Sequence, residues 1–324
     1  MRLVAATRVL DEDDVLEAFV RHHAALVDHH IFLDNGSTDR SLAILQALRA
    51  EGLPLTVLQT RAAHFCEPPL LTGLFRMAAG MGADWVLMLD CDEFVDQRRA
   101  EGGLRTLLDA VPPEHAALRL PRAAYHPMPD DDAADLLVPR RIRRREPQLQ
   151  PVAKVVLRAS LAAQNLTLGA GSRDAIRDGQ YLPAPISGEL ALAHFPRRSA
   201  CQQAARHVLG RLKVIAAGQA AADDNSSLHY NRIFEAIRDD PAALLRDPGF
   251  LSPEAPDGGL VEDPIDYLGG ELRHTLPGDA AMKALAGLAA FGEALAAQHA
   301  RLLDTNEGIR LQVHNWSLTW TQVA

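Results

Sequence analysis

The chain has 324 residues, with 33 Lys and Arg against 42 Asp and Glu, so its net charge of −9 argues against holding nucleic acid by bulk charge. A 48% hydrophobic and 23% charged composition is that of a globular chain with room for one large domain or a domain plus an extension. Three cysteines, Cys66, Cys91 and Cys201, are too few and too scattered for a disulfide framework or a zinc motif, and a reducing compartment is the simplest home.

No apolar run at the N-terminus reads as a signal peptide, and no run approaches the roughly 20 apolar residues of a membrane helix. A cytoplasmic location is expected, with any membrane contact peripheral, at the inner face.

The first hundred residues alternate strand and helix signals. Leu3–Ala6 is a short apolar run, and Val15, Leu16, Phe19, Val20, His23 and Leu26 recur at helical spacing over 13–27. His23 falls on the apolar face and His22 on the surface side. Ile31–Leu33 is a second strand ending at Asp34. Asn35-Gly36-Ser37 is a turn, and Ser37, Thr38 or Asp39 can cap a helix that runs to Ala50. Leu55–Leu58 reads as a strand, 69–81 as a helix, and Trp85–Leu89 as a strand buried on both faces. This alternation predicts an α/β fold: a mostly parallel, Rossmann-like sheet with flanking helices. Ligands of such sheets gather beyond the carboxyl ends of the strands, where Asp34 and Asp90 sit.

The densest signal is that last strand's exit, Asp90-Cys91-Asp92-Glu93. Buried carboxylates are costly unless cations or donors meet them. Asp90 and Asp92 share one side of an extended chain. Two hard oxygen ligands on one side suit Mg²⁺ or Mn²⁺ bound together with a substrate's phosphates. Glu93 beside them is a candidate base, and so is the Asp130–Asp132 run.

Beyond residue 100 the pattern loosens. A short helix over 104–111 and strands over Ala116–Leu120 and Val152–Arg158 are expected. Loops at 121–150 and 171–189 carry no readable pattern. The arginines at 140–145 read as a solvated face, or as a contact for an anionic acceptor or an acidic membrane. Ser199-x-x-Gln202 is a capping box opening a helix to Ala217. Residues 239–270 read as a loop and Asp279–Leu303 as a final helix. Two regions follow: 1–198 as the catalytic domain, and 199–324 as a mainly helical C-terminal extension.

Four segments together resemble family 2 glycosyltransferases, of the bacterial family 2-like branch. They are Arg8 to His23, Asp34-Asn-Gly-Ser-Thr-Asp39, Asp84 to Phe94, and Ala193-His-Phe-Pro-Arg-Arg-Ser199. The resemblance spans roughly residues 1–215 and implies a GT-A fold and a metal-dependent, inverting transfer. The donor would be a UDP- or GDP-sugar, and the acceptor a glycan or lipid-linked molecule, as in surface polysaccharide synthesis. Thr7, Arg8 and Glu12 match positions lining the nucleotide pocket. Asp34 matches the carboxylate that binds the base, Asp90 one that approaches ribose or metal, and Asp92 the metal ligand. His194 matches a histidine completing the metal shell. Where the family has Asn, this chain has Asp11, which cannot donate a hydrogen bond. Two other readings compete: a non-catalytic nucleotide-sugar or glycan-binding protein, and a sugar-nucleotide pyrophosphorylase. The latter normally opens with a glycine-rich phosphate loop, and residues 3–14 contain no glycine.

Overall fold

A computed structural model describes residues 1–60, 63, 64, 67–218, 228–240 and 259–317. The first half runs β1 (Leu3–Val9), α1 (Leu16–Ala24), β2 (His29–Asp34), α2 (Ser41–Ala50), β3 (Leu55–Gln59), α3 (Glu67–Gly80) and β4 (Trp85–Asp90). β5 (Glu93–Asp96), α4 (Gly103–Ala110), β6 (Ala117–His126), α5 (Val138–Arg141), β7 (Arg144–Arg145) and β8 (Gln150–Arg158) follow. Then come β9 (Leu166–Leu168), β10 (Ala175–Arg177), β11 (Gln180–Tyr181), β12 (Ala191–His194), α6 (Ala200–Ala216) and α7 (Leu228–Asp239). The C-terminal part adds β13 (Val261–Glu262), α8 (Ala280–Thr305) and α9 (Glu307–Ser317).

The expected α/β class is what the chain adopts. β3, β2, β1 and β4 form a parallel block, and β8 and β6 extend it antiparallel, with β12 beside β6 in parallel. β9, β10 and β11 make a separate small antiparallel sheet.

β4 is buried on both faces because its residues serve two cores in alternation. Trp85, Leu87 and Leu89 pack with Phe19 and Leu45 on one side; Val86 and Met88 pack with Phe75 on the other. Each such side chain contributes about 2 kcal/mol through apolar burial. The strand ends at polar residues, so the chain leaves the core where Asp90 pairs with Arg8 and, one strand over, Asp34 pairs with Val9.

The C-terminal segment is not only helical. β13 pairs with β7, Ile265 enters the main core, and the Glu17 carboxylate of α1 accepts from the backbone N–H groups of Arg273, His274 and Thr275 at 2.6–2.8 Å. This strap covers α1 and corrects the reading of His22. That residue is buried, its Nε2 lies 2.9 Å from the Val95 carbonyl, and its ring stacks on Tyr267. His23 is the packed core histidine expected, against the Phe19 carbonyl.

Ser199 caps α6 as expected: its Oγ accepts from the Gln202 N–H at 3.2 Å. α8 corrects the membrane reading, being long and apolar enough by length and composition to cross one. Alanines interleaved with single polar residues hid this from a search for unbroken runs. One stripe of α8 docks nonetheless, with Phe291 packing on Ala63 and Leu209. Of the loop expected over 239–270, residues 241–258 lie outside the described residues, as do Cys66 and 318–324.

Candidate active site

Beyond the carboxyl ends of β1 and β4 lies a cleft of about 1830 Å³. Arg8, Glu12, Asp90, Asp92, His194 and Arg198 line it, and so does Arg206 from the region read as an extension. The sheet supplies acidic ends, and α6 supplies much of the opposing positive charge.

Asp92 is the centre of this arrangement. It is 1% exposed, and its Oδ2 accepts from Arg206 Nη1 at 2.8 Å. His194 Nε2 lies 3.6 Å and Arg198 Nη1 3.9 Å from the same oxygen. Burial disfavours its charge, but Arg206, His194 and Arg198 outweigh that and hold its pKa well below the ordinary carboxylate range. Its other oxygen, Oδ1, is buried with no hydrogen-bond partner.

Asp90 faces a different cation. Lys154, on β8 and 2% exposed, places Nζ 2.6 Å from Asp90 Oδ2 and 3.2 Å from Glu93 Oε2. Burial would lower the lysine's pKa, yet Asp90 and Glu93 raise it, so the ammonium form is held. Glu93 is fully buried, accepts from the Asp90 N–H at 3.0 Å, and does not line the cleft. In this structure it braces the strand exit through Lys154.

Glu12 and Asp14 converge on Arg198, whose Nε donates to Asp14 Oδ2 at 2.7 Å while Nη2 pairs with Glu12. Burial pushes the Glu12 pKa up to about 8 against the pull of Arg198. Arg8 lines the cleft, held by Glu67 at 2.8 Å.

Thr7 and Asp34 stay out of the cleft, while Asp11 lies at its wall. Thr7 is fully buried and its hydroxyl lies 2.9 Å from His30 Nε2. Asp34 is fully buried and accepts from the N–H groups of Gly36 and Ser37 and from Gln59 Nε2. In this structure it closes the turn after β2, so contact with a base would require these bonds to open. Asp11 adopts a positive φ of 53° and accepts from the Thr38 and Asp39 N–H groups at 2.7 and 3.3 Å. The position needs only an acceptor, so a carboxylate serves where the family has an amide. Gly287 of α8 lies over it, where a Cβ would stand 2.9 Å from Asp11 Oδ2.

The arginines at 140–145 are largely spent inside the protein. Arg140 pairs with Asp135, Arg143 with Glu262, Arg144 with Asp130 and Arg145 with Asp263. Arg141 donates to the Asp135 carbonyl. Asp130, Asp131 and Asp132 do not line the cleft.

Among the described residues no cluster of three or more His, Cys, Asp or Glu forms a ready metal cage, so Asp90, Asp92 and His194 are not pre-assembled as a triad. The donor set still fits a hard cation. Mg²⁺-type sites use one or two carboxylates and complete their shell with substrate phosphate and water. The partnerless Asp92 Oδ1, with the His194 imidazole beside the same carboxylate, meets that minimum.

Sequence reasoning missed Lys154, Arg198 and Arg206. A lysine inside an apolar strand was a usable signal, because lysine is rarely buried without a partner. Arg206 had none, since helical spacing does not show which face meets a cleft.

No protein-family model and no curated protein matches the chain. Similar solved structures include S. aureus TarS in complex with UDP, at 13% identity over 77% of this chain and 74% of that one, with a TM-score of 0.38. Another is the mannosyltransferase PcManGT from Pyrobaculum calidifontis in complex with GDP-Man and Mn²⁺, at 13% identity over 93% and 80%, TM-score 0.39. A third is glucosyl-3-phosphoglycerate synthase from Mycobacterium tuberculosis in complex with Mn²⁺, UDP and glucosyl-3-phosphoglycerate, at 17% identity over 69% and 81%, TM-score 0.35. At these values the likenesses carry no residue role to this chain.

Proposed function

We propose that the chain is a nucleotide-sugar-dependent glycosyltransferase of the GT-A type. The observation that carries this is the strand exit Asp90-Cys91-Asp92, opening into a cleft whose facing wall presents Arg198 and Arg206. Acidic groups at a strand end with arginines opposite suit a diphosphate and the cation that accompanies it. The four sequence segments resembling family 2 enzymes fall on β1 with its following loop and α1, the β2 exit, β4 and β12, and all four contribute residues to this cleft.

In this reading the acceptor hydroxyl attacks the sugar's anomeric carbon as the bond to the diphosphate breaks. The hydroxyl proton passes to a carboxylate lining the cleft, and the negative charge leaves on the diphosphate. Arg8 and Arg206 are placed to meet that charge as it develops, which is where fixed positive charge accelerates transfer. Asp92 Oδ1 would hold Mn²⁺ or Mg²⁺ with His194 nearby, and a bound cation supplies further neutralisation of the leaving group. Asp90, held by Lys154, would approach the ribose or the metal in this reading.

The test is a thermal-shift and turnover panel of UDP-, GDP- and dTDP-sugars with and without Mn²⁺, on the wild type and Asp92→Asn. Binding of one donor raises the melting temperature by mass action. We expect one nucleotide class to bind, its diphosphate to be released, and Asp92→Asn to lower release by at least a hundredfold. Full turnover in Asp92→Asn would defeat the reading. Binding without turnover under any metal would favour a nucleotide-sugar-binding protein.

A further inference from the structure

Arg197 and Arg198 are neighbours after β12 with opposite surroundings. Successive side chains of an extended segment point to opposite sides. Arg198 is 6% exposed and saturated by Glu12, Asp14 and the Phe195 carbonyl. Arg197 lines the same cleft, yet it forms no hydrogen bond or ion pair among the described residues, and its Nη1 is buried with no partner.

A guanidinium in that position is costly unless an anion meets it. Among the described residues no carboxylate forms an ion pair or hydrogen bond with it. The nearest in electrostatic terms, Glu146, spends Oε1 on His126 at 3.0 Å and faces Gln150 Nε2 with Oε2 at 3.4 Å. Arg197 and His194 both bear on His126 and lower its pKa, secondary to burial and against the pull of Glu146. Burial also lowers the pKa of Arg197, with Glu146 pulling the other way.

We infer that Arg197 is the seat for an oxyanion, phosphate or carboxylate, distinct from Arg8 and Arg206, which the transferase reading gives to the diphosphate. The planar guanidinium fork pairs bidentately with either group. Resting on the transferase reading, this makes the acceptor an anionic molecule, anchored by its charged group beside β12 while its hydroxyl faces the donor.

The test first saturates the protein with whichever nucleoside diphosphate the donor panel identifies. It then titrates glucose 6-phosphate, glucuronate, inorganic phosphate and glucose by calorimetry. At least one anionic probe should bind and glucose should not; the phosphate and carboxylate arms separate the two sources of charge. Arg197→Gln should weaken that probe at least tenfold and leave nucleotide affinity unchanged, with Arg197→Lys intermediate. Failure of every anion to bind, or unchanged affinity in Arg197→Gln, overturns the inference. Loss of nucleotide affinity in Arg197→Gln also overturns it, by assigning Arg197 to the donor. If no nucleotide binds at all, the transferase reading fails, and anion binding by the nucleotide-free protein still reports on Arg197.

Discussion

Lys154 decides whether the strand-end carboxylates can stay buried. It is the cation within 3.2 Å of both Asp90 and Glu93. Arg122 stands further off, 3.6 Å from Glu93 Oε1. Removing one partner of a buried ion pair leaves an uncompensated charge, at a cost of about 3–5 kcal/mol. Lys154→Met should therefore destabilise the protein by about that amount in urea unfolding. Adding Glu93→Gln to it should recover part of the loss, because the stranded charge is then gone. Equal stability of Lys154→Met and wild type would show the carboxylates to be served otherwise. The sequence showed the two aspartates but not this lysine's role, because β4 and β8 meet through a pairing 64 residues apart. Short-range spacing carries nothing about such a partner. Glu93 shows the same limit: adjacency in sequence sets it beside Asp92, whereas the turn after β4 turns its side chain into the core.

At the scale of an element, α1 shows where helical periodicity succeeds and where it stops. Its 3.6-residue stripe predicted the buried face containing Phe19 and His23. It said nothing about the opposite side, which the strap at 265–275 covers by non-local contact. The result is a buried histidine cluster with a pH signature. Burial lowers the His22 pKa to about 4 and that of His30 to about 3, from ordinary values of 6.5. Both folded pKa values are depressed, so the unfolded chain binds protons that the folded chain refuses. Stability from these groups is fully present above pH 6.5 and is lost as pH falls towards 4 and 3. His22 alone accounts for about 3 kcal/mol across that window. Asp39 acts in the other direction, because burial beside Asp13 raises its pKa to about 7, so its contribution declines as pH rises through that value. The comparison is therefore between variants: the fall in unfolding free energy from pH 7 to pH 4.5 should be smaller in His22→Gln than in wild type. Parallel curves would place the proton uptake elsewhere.

For the molecule as a whole, the legible part of the sequence was the part built from local βαβ units. β1 to β4 follow from alternating apolar runs and caps, and their carboxyl ends located the cleft. β6 and β8 were legible as strands, but their antiparallel pairing was not, and the small β9–β11 sheet escaped, because these pairings join segments without a repeating pattern. The C-terminal region was read as a helical appendage because its helices are strong signals and its strap is not. The strap's contribution makes a direct prediction. It supplies Ile265 to the core, β13 to β7 and three N–H donors to the fully buried Glu17 carboxylate. A fragment ending at residue 218 keeps Glu17 but loses every one of those donors, leaving Arg21 as its neighbour at 2.9 Å. It also uncovers His22. Unsatisfied burial of that kind costs several kcal/mol, a large share of a stability that is typically about 5–15 kcal/mol. A fragment ending at residue 279 keeps the strap and loses only α8 and α9, whose contacts include the 2.6 Å pair of Lys283 with Asp13 at the cleft edge. By circular dichroism and urea titration, the longer fragment should unfold cooperatively near the full chain's midpoint. The 1–218 fragment should show an early or non-cooperative transition. If both unfold alike, the strap is an ornament on an already complete domain, and the boundary after residue 198 gains support.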